Sequence, residues 1–378
     1  MISAPSETPT IGIAPSSKPI WAELPVINNI QAMRGIASII VFIGHACLLQ
    51  PGLGLDRLFN LFGVTASTGV DIFFVISGFI ITTVAMKNGP SSVVGHGTTA
   101  WNFGIKRFTR IYPVYWIVFA LTCLLAPWIQ YSPDFVVREP IVQQALLLTH
   151  VNSHIMAAWS LCFEIYFYSI VVAALLVSPK YVGHVLAFWV ASITAIIAYD
   201  FFIGQHGWIG LVPMSPLIFE FIFGMAVAYL INRRITGFAV TTAIIGIVTL
   251  MAGMEIMRLR GWSTLNPWWR TFYAGVPCAF IVYSVIALEY RKIWTFSPFW
   301  VRLGDASYSI YIWHQFIFYT LLKICVTAGL IGRVPGLVLI AGWMIPAFFM
   351  GIASYKYLEL PLQRKLNEWL LVRRRQTL

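Results

Sequence analysis

Residues 31–50 read QAMRGIASIIVFIGHACLLQ, one apolar run broken by Arg34 and His45. A run of this length spans the hydrocarbon core of a bilayer as a helix. On that helix the eleven-residue separation is about 16 Å along the axis, close to half the core thickness. One helix therefore carries a cation near one membrane face and an imidazole deep in the apolar layer. Ionisable groups at that depth are costly and mark chemistry done within the membrane.

The rest of the chain is of the same kind. Of 378 residues, 59% are hydrophobic and 10% charged, with mean hydropathy +0.79; a soluble domain carries roughly 25% charged residues. The apolar segments are long and continuous rather than short and alternating, which excludes an outer-membrane barrel. The expected fold is an all-α integral membrane protein, a bundle of about ten transmembrane helices. The spans read as 30–49, 68–86, 111–128, 158–177, 182–203, 213–231, 238–257, 272–288, 308–328 and 334–355. Residues 1–27, rich in Pro, Ser and Thr, read as a disordered cytoplasmic tail without a secretory signal. Residues 28–360 form the membrane domain, and 361–378 a basic juxtamembrane tail on the inner surface.

Charge sets the expected orientation. With both termini cytoplasmic, roughly eighteen of the twenty-five Lys and Arg fall on the inner side. Clusters at Lys106, Arg107 and Arg110, at Arg233 and Arg234, and at Arg373, Arg374 and Arg375 support this; Arg258 and Arg260 are exceptions. The net charge of +11 then reflects an anionic inner leaflet and requires no nucleic acid. The expected location is the inner (plasma) membrane, multi-pass. Five cysteines lack ligand spacing and seven histidines are scattered, so no metal site is expected.

In that orientation the first span runs outward, placing Arg34 near the cytoplasmic face and His45 in the outer half. Asp71 of TGVDIFFVISGF lies about one turn below the outer end of the second span, and Glu164 of AWSLCFEIYFY about two turns below that of the fourth. Three ionisable groups thus reach similar depth, where a carboxylate is placed to orient a base. Each also has a plainer reading: His45 as an interhelical hydrogen-bonder, Asp71 as a helix cap beside Thr68. Trp159, Ser160 and His314 are candidate substrate contacts, with packing or hydrogen bonding to Gln315 the first reading for His314. In IKRFTRIYPVYW, Arg107 and Arg110 are three apart and share a face if the segment is helical, a fork suited to phosphate. Positive-inside flanking is the alternative, and Arg34, inside an apolar run, shifts the balance toward a site.

Together these segments resemble the acyltransferase-3 family of membrane acyltransferases, and within it the exopolysaccharide-production (ExoZ-like) branch. The resemblance rests on IQAMRGIASIIVFIGHA, with Arg34, ten residues and His45; on GVDIFFVISGFII; on the Arg-x-x-Arg of RFTR; on WSLCFEIYFY; and on GDASYSIYIWHQ. It covers about residues 28 to 360. Members acting on other acceptors often carry WSLSVEEQFY, whereas Ile165 follows Glu164 here and leaves one carboxylate. The resemblance implies transfer of an acyl group, usually acetyl from acetyl-CoA, to a carbohydrate hydroxyl. Arg34, Arg107 and Arg110 would hold the CoA phosphates, and His45, with Asp71 or Glu164 orienting it, would act as base or acyl carrier, direct transfer being preferred. Implied partners are acyl-CoA, a glycan acceptor or its lipid-linked precursor, membrane lipid and polysaccharide-assembly machinery. The alternatives are a transporter or flippase for a lipid-linked sugar, and an acyltransferase for a non-glycan small molecule.

Overall fold

The computed structural model describes residues 27–48, 66–88, 95–129, 139–149, 153–203, 212–261 and 266–376. The N-terminal tail expected from composition lies outside these residues, apart from Ile27. Every regular element described is helical. In chain order these are α1 (Asn28–Leu48), α2 (Ala66–Asn88), α3 (His96–Ile129), the short α4 (Ile141–Ala145), α5 (Trp159–Val177), α6 (Val182–Ile203) and α7 (Ile218–Asn232). The second half comprises α8 (Ala239–Leu259), α9 (Pro267–Tyr290), α10 (Pro298–Asp305), α11 (Ser307–Thr327), α12 (Gly336–Ser354) and α13 (Leu360–Gln376).

Among the described residues, nine helices are long and apolar enough to cross a membrane, and α7 is a shorter apolar tenth of 15 residues. The expected sixth span, 213–231, therefore starts late. Pro213 and Pro216 keep the chain out of regular helix, and a 3-10 turn at Val212–Met214 precedes α7. Two other boundaries also differ from expectation. Helix α3 begins at His96 rather than near 111, so the Arg-x-x-Arg segment lies inside a 34-residue helix and not in a loop. The chain also continues helically past Pro361, and Thr109 of α3 donates to Asn367 of α13 at 2.9 Å. The stretch expected to lie as a separate surface tail is thus docked on α3. Two π-helical turns, Thr271–Gly275 and Tyr355–Glu359, each lie just before a proline, Pro277 and Pro361. A proline has no N–H for the carbonyl one turn back, and a widened turn accommodates the loss.

Helix α1 sits at the centre, packed on α2, α10 and α11. Its first turn would leave amides unpaired; Glu289 of α9 accepts from the amides of Asn28 (2.9 Å) and Asn29 (2.6 Å). Close approach is permitted by small residues, as membrane bundles require. At Gly35 of α1, an added Cβ would lie 2.9 Å from the Gly304 amide nitrogen of α10. One added at Gly304 would overlap the Gln31 carbonyl oxygen. Gly78 of α2 and Gly224 of α7 make the equivalent backbone crossing on the other side.

The Gly304 seam generates a test. Gly304→Ala forces α10 from α1 and is expected to cost about 1–3 kcal/mol, read as a lower thermal midpoint in detergent. An unchanged midpoint would mean the two backbones do not meet.

Candidate active site

Arg34 and His45 share a face of α1, because eleven residues complete three turns almost evenly. Ser307 and His314 likewise share a face of α11, since seven residues complete about two turns. The two faces meet. Arg34 donates to Ser307 Oγ at 3.1 Å and to Gln31 Oε1 at 2.8 Å, while Gln31 donates to Asp305 at 3.0 Å. Farther along, His45 Nδ1 and His314 Nε2 lie 2.9 Å apart. His314 Nδ1 is 2.6 Å from the Tyr311 carbonyl oxygen. The His45 ring therefore faces a protein partner, not lipid chains.

Beside this seam lies a partly open cavity lined by residues of α1, α2, α3, α5 and α11. Arg34, Arg107 and Arg110 line it, with Glu164, Ser77, Ser160, Tyr168 and Tyr311. The three-residue spacing of Arg107 and Arg110 does place both on the cavity side of α3. The Arg107 guanidinium sits over the rings of Phe103 (5.4 Å) and Tyr168 (5.7 Å). Its buried Nε has no hydrogen-bond partner among the described residues. Glu164 accepts from Ser77 at 2.7 Å. Glu359, at the end of the second π turn, accepts from Ser309 at 2.7 Å and lies within electrostatic reach of Arg34 and Arg110. Glu164, Glu359 and, through Gln31, Asp305 offset part of the charge of these three guanidiniums, whose planar forks suit an anionic ligand.

Hydrogen bonds join two motifs where Ser160 and Tyr311 line the cavity. Tyr311 Oη contacts Ser160 Oγ and the Ala157 carbonyl, each at 2.7 Å, and the Ala157 amide donates to Gln315 Oε1 at 2.6 Å. Tyr311 lines the cavity, and His314 is one turn farther along α11. His45 does not line it and stands behind the Tyr311–His314 turn.

Asp71 goes elsewhere. Its expected depth is that of His45 and Glu164, but six residues separate it from Ser77, a rotation of about 240° on the helix surface. While Ser77 faces Glu164, Asp71 faces α9, where Arg270 Nε donates to it at 2.6 Å. The carboxylate expected to orient His45 is therefore not its partner; neither Asp71 nor Glu164 is, and His314 holds that position. Glu220 of α7 lies beside the Asp71–Arg270 pair with both oxygens unpartnered among the described residues. Two ionised carboxylates on one guanidinium would leave an uncompensated buried charge. The cluster is satisfied when one proton is held between the two carboxyl groups. Trp159 belongs here too: its ring lies 5.0 Å under Arg270 and edge-on to Phe74 and Phe163, away from the cavity that Ser160 lines.

The site residues that sequence reasoning overlooked are Ser77, Tyr168, Tyr311, Glu359, Arg270 and Glu220. Tyr311 carried a signal, three residues before His314 on the same face. Arg270 carried none, because its segment read as a loop before the eighth span. Among the described residues no three His, Cys, Asp or Glu side chains are grouped to hold a metal ion.

The buried cluster separates two variants. Arg270→Met strips both carboxyl groups of their cation and is expected to cost about 3–5 kcal/mol. Glu220→Gln keeps a hydrogen-bond donor and should shift stability by less than about 1 kcal/mol. Thermal unfolding in detergent reads both, and equal losses would contradict the shared proton.

Comparison with known proteins follows the same outline. The family described as an acyltransferase domain (acyltransferase-3) matches residues 27–355. The exopolysaccharide production protein ExoZ of Rhizobium meliloti (strain 1021) is 26% identical over 313 residues, covering 79% of this chain and 90% of that protein. The putative membrane-bound transacylase BcsY of Komagataeibacter xylinus is 24% identical over 311 residues, covering 76% of this chain and 72% of that protein. No solved structure matches at a significant level. With a family match reaching from the first turn of α1 to the end of α12, this chain belongs to the acyltransferase-3 family of membrane acyltransferases.

Proposed function

We propose that the protein is a multi-pass O-acyltransferase of the inner (plasma) membrane that moves an acyl group, acetyl in the favoured reading, from acyl-CoA to a hydroxyl of an exopolysaccharide or its lipid-linked precursor. The observation that carries this is the cavity in which Arg34, Arg107 and Arg110 converge, with the His45–His314 pair one helical turn beyond Tyr311 of its lining. Three guanidiniums, one with an unpartnered buried nitrogen, suit the phosphates of a nucleotide thioester. The printed names of the two relatives, exopolysaccharide production and transacylase, support the acceptor class. Both termini lie on the cytoplasmic side in this reading, so that the arginine end of α1 meets the cytoplasmic donor.

In this mechanism the arginines bind and align the donor, and alignment alone removes much of the entropic barrier. The neutral imidazole of His45 takes the proton of the acceptor hydroxyl as it attacks the thioester. Tyr311 and Ser160, joined to each other in the cavity lining, supply hydroxyls next to the reacting groups. Glu164, fixed by Ser77, accepts a hydrogen bond from bound substrate. Asp71 has a structural part, holding Arg270 and through it Trp159.

The test is direct. Purified protein in lipid nanodiscs, given labelled acetyl-CoA and a deacetylated exopolysaccharide fragment, should transfer label to the glycan. His45→Ala should lose at least about 100-fold in turnover while inserting normally. Arg107→Ala should raise the donor KM by about tenfold or more, the worth of one charged hydrogen bond, with little effect on the acceptor KM. Wild-type turnover in His45→Ala, or label that never leaves the donor, would overturn the proposal.

A further inference from the structure

The hydrogen bonds around His314 have a chemical consequence for His45. A carbonyl oxygen only accepts, so the 2.6 Å contact with the Tyr311 carbonyl requires the proton of His314 on Nδ1. His314 has no exposure and packs against the rings of Phe42 (6.1 Å) and Phe318 (5.7 Å), surroundings in which a second proton and its charge are unfavourable. Its Nε2 is then a lone pair, and the only way His45 Nδ1 can sit 2.9 Å from it is by donating. The ring centroids are 4.9 Å apart and the planes inclined by 23°.

We propose that His314 is the positioning residue for His45, fixing it as the Nδ1–H tautomer so that Nε2 is the nitrogen that takes the acceptor proton. This rests on the reading of His45 as the base. With Nδ1 engaged by His314, Nε2 is the nitrogen of His45 left for the acceptor hydroxyl. The acceptor O–H proton passes to Nε2 as the oxygen forms its bond to the acyl carbon and the carbon–sulfur bond breaks. The departing thiolate takes that proton and leaves as the free thiol, returning His45 to its Nδ1–H form. During the charged interval the Nδ1–H donates to His314, whose own Nδ1–H donates to the Tyr311 carbonyl. His314 thus stands where other histidine bases have a carboxylate, and the arrangement stays uncharged at rest, which suits a site buried in a membrane.

The experiment is nitrogen NMR on the full chain in lipid with labelled histidine, the His45 signals being those missing in His45→Ala. The expected result is a protonated Nδ1 and an unprotonated Nε2 at His45. In His314→Leu, turnover should fall by at least about 100-fold with the donor KM within about twofold. His314→Gln, whose amide oxygen can accept the same N–H, should recover turnover to within about tenfold of wild type. A His45 protonated at Nε2 in protein that transfers label, or wild-type turnover in His314→Leu, would overturn the proposal. Should His314→Leu fail to fold, the tautomer of the wild-type protein still decides. A wild-type protein that transfers nothing defeats the acyltransferase reading instead, and the NMR result separates the two failures.

Discussion

A guanidinium and an imidazole on one face of a membrane helix cannot be left to lipid, and the pairing of α1 with α11 is what satisfies both. Ser307 takes Arg34 and His314 takes His45. The spacings, eleven residues on one helix and seven on the other, each bring the polar groups back to a single face. Everything else in the centre of the molecule is arranged around that seam. Glu289 secures the first turn of α1, and α10 lies against its flank through Gly35 and Gly304.

The cavity follows from the same constraint. Once α1 and α11 are joined, α2, α3 and α5 close around the Arg34 end and bring Ser77, the Arg107–Arg110 face and Glu164 together. Glu164 and Glu359, held in place by Ser77 and Ser309, offset part of the positive charge there. On the opposite side of α2, the Asp71, Glu220 and Arg270 cluster is fully buried and self-contained, and it stiffens the bundle where α2, α7 and α9 meet. The protein thus separates a charge cluster that is internally balanced from one that is left open to a ligand.

Hydrophobic run length foretold the membrane class and nearly all of the spans, because a helix that must satisfy its own backbone in lipid needs about twenty apolar residues. Apart from the late start of α7, set by Pro213 and Pro216, the misread boundaries involve polar residues that the bundle shelters. His96 to Arg110 looked like a loop since it carries a basic cluster, yet the cavity gives Arg107 and Arg110 a place inside a helix. Arg270 looked like a loop residue because it falls just before the expected eighth span at 272–288. Glu359 went unnoticed because nothing in its local sequence distinguishes a buried carboxylate from one at the membrane surface.

By itself the sequence determined the class of protein, the residues too costly to be idle and their depth along each helix axis, since rise per residue is constant. It also contained, unread, the fact that Arg34 and His45 share a helix face. Only the tertiary structure decided which groups touch. Depth leaves the rotation of each helix open, and rotation is set by packing: by the small residues that let Gly304 meet Gln31 and Gly224 meet α2, and by partners hundreds of residues away. For that reason Asp71, expected level with His45, ended beside Arg270, and a second histidine, 269 residues along the chain, took the place beside the first.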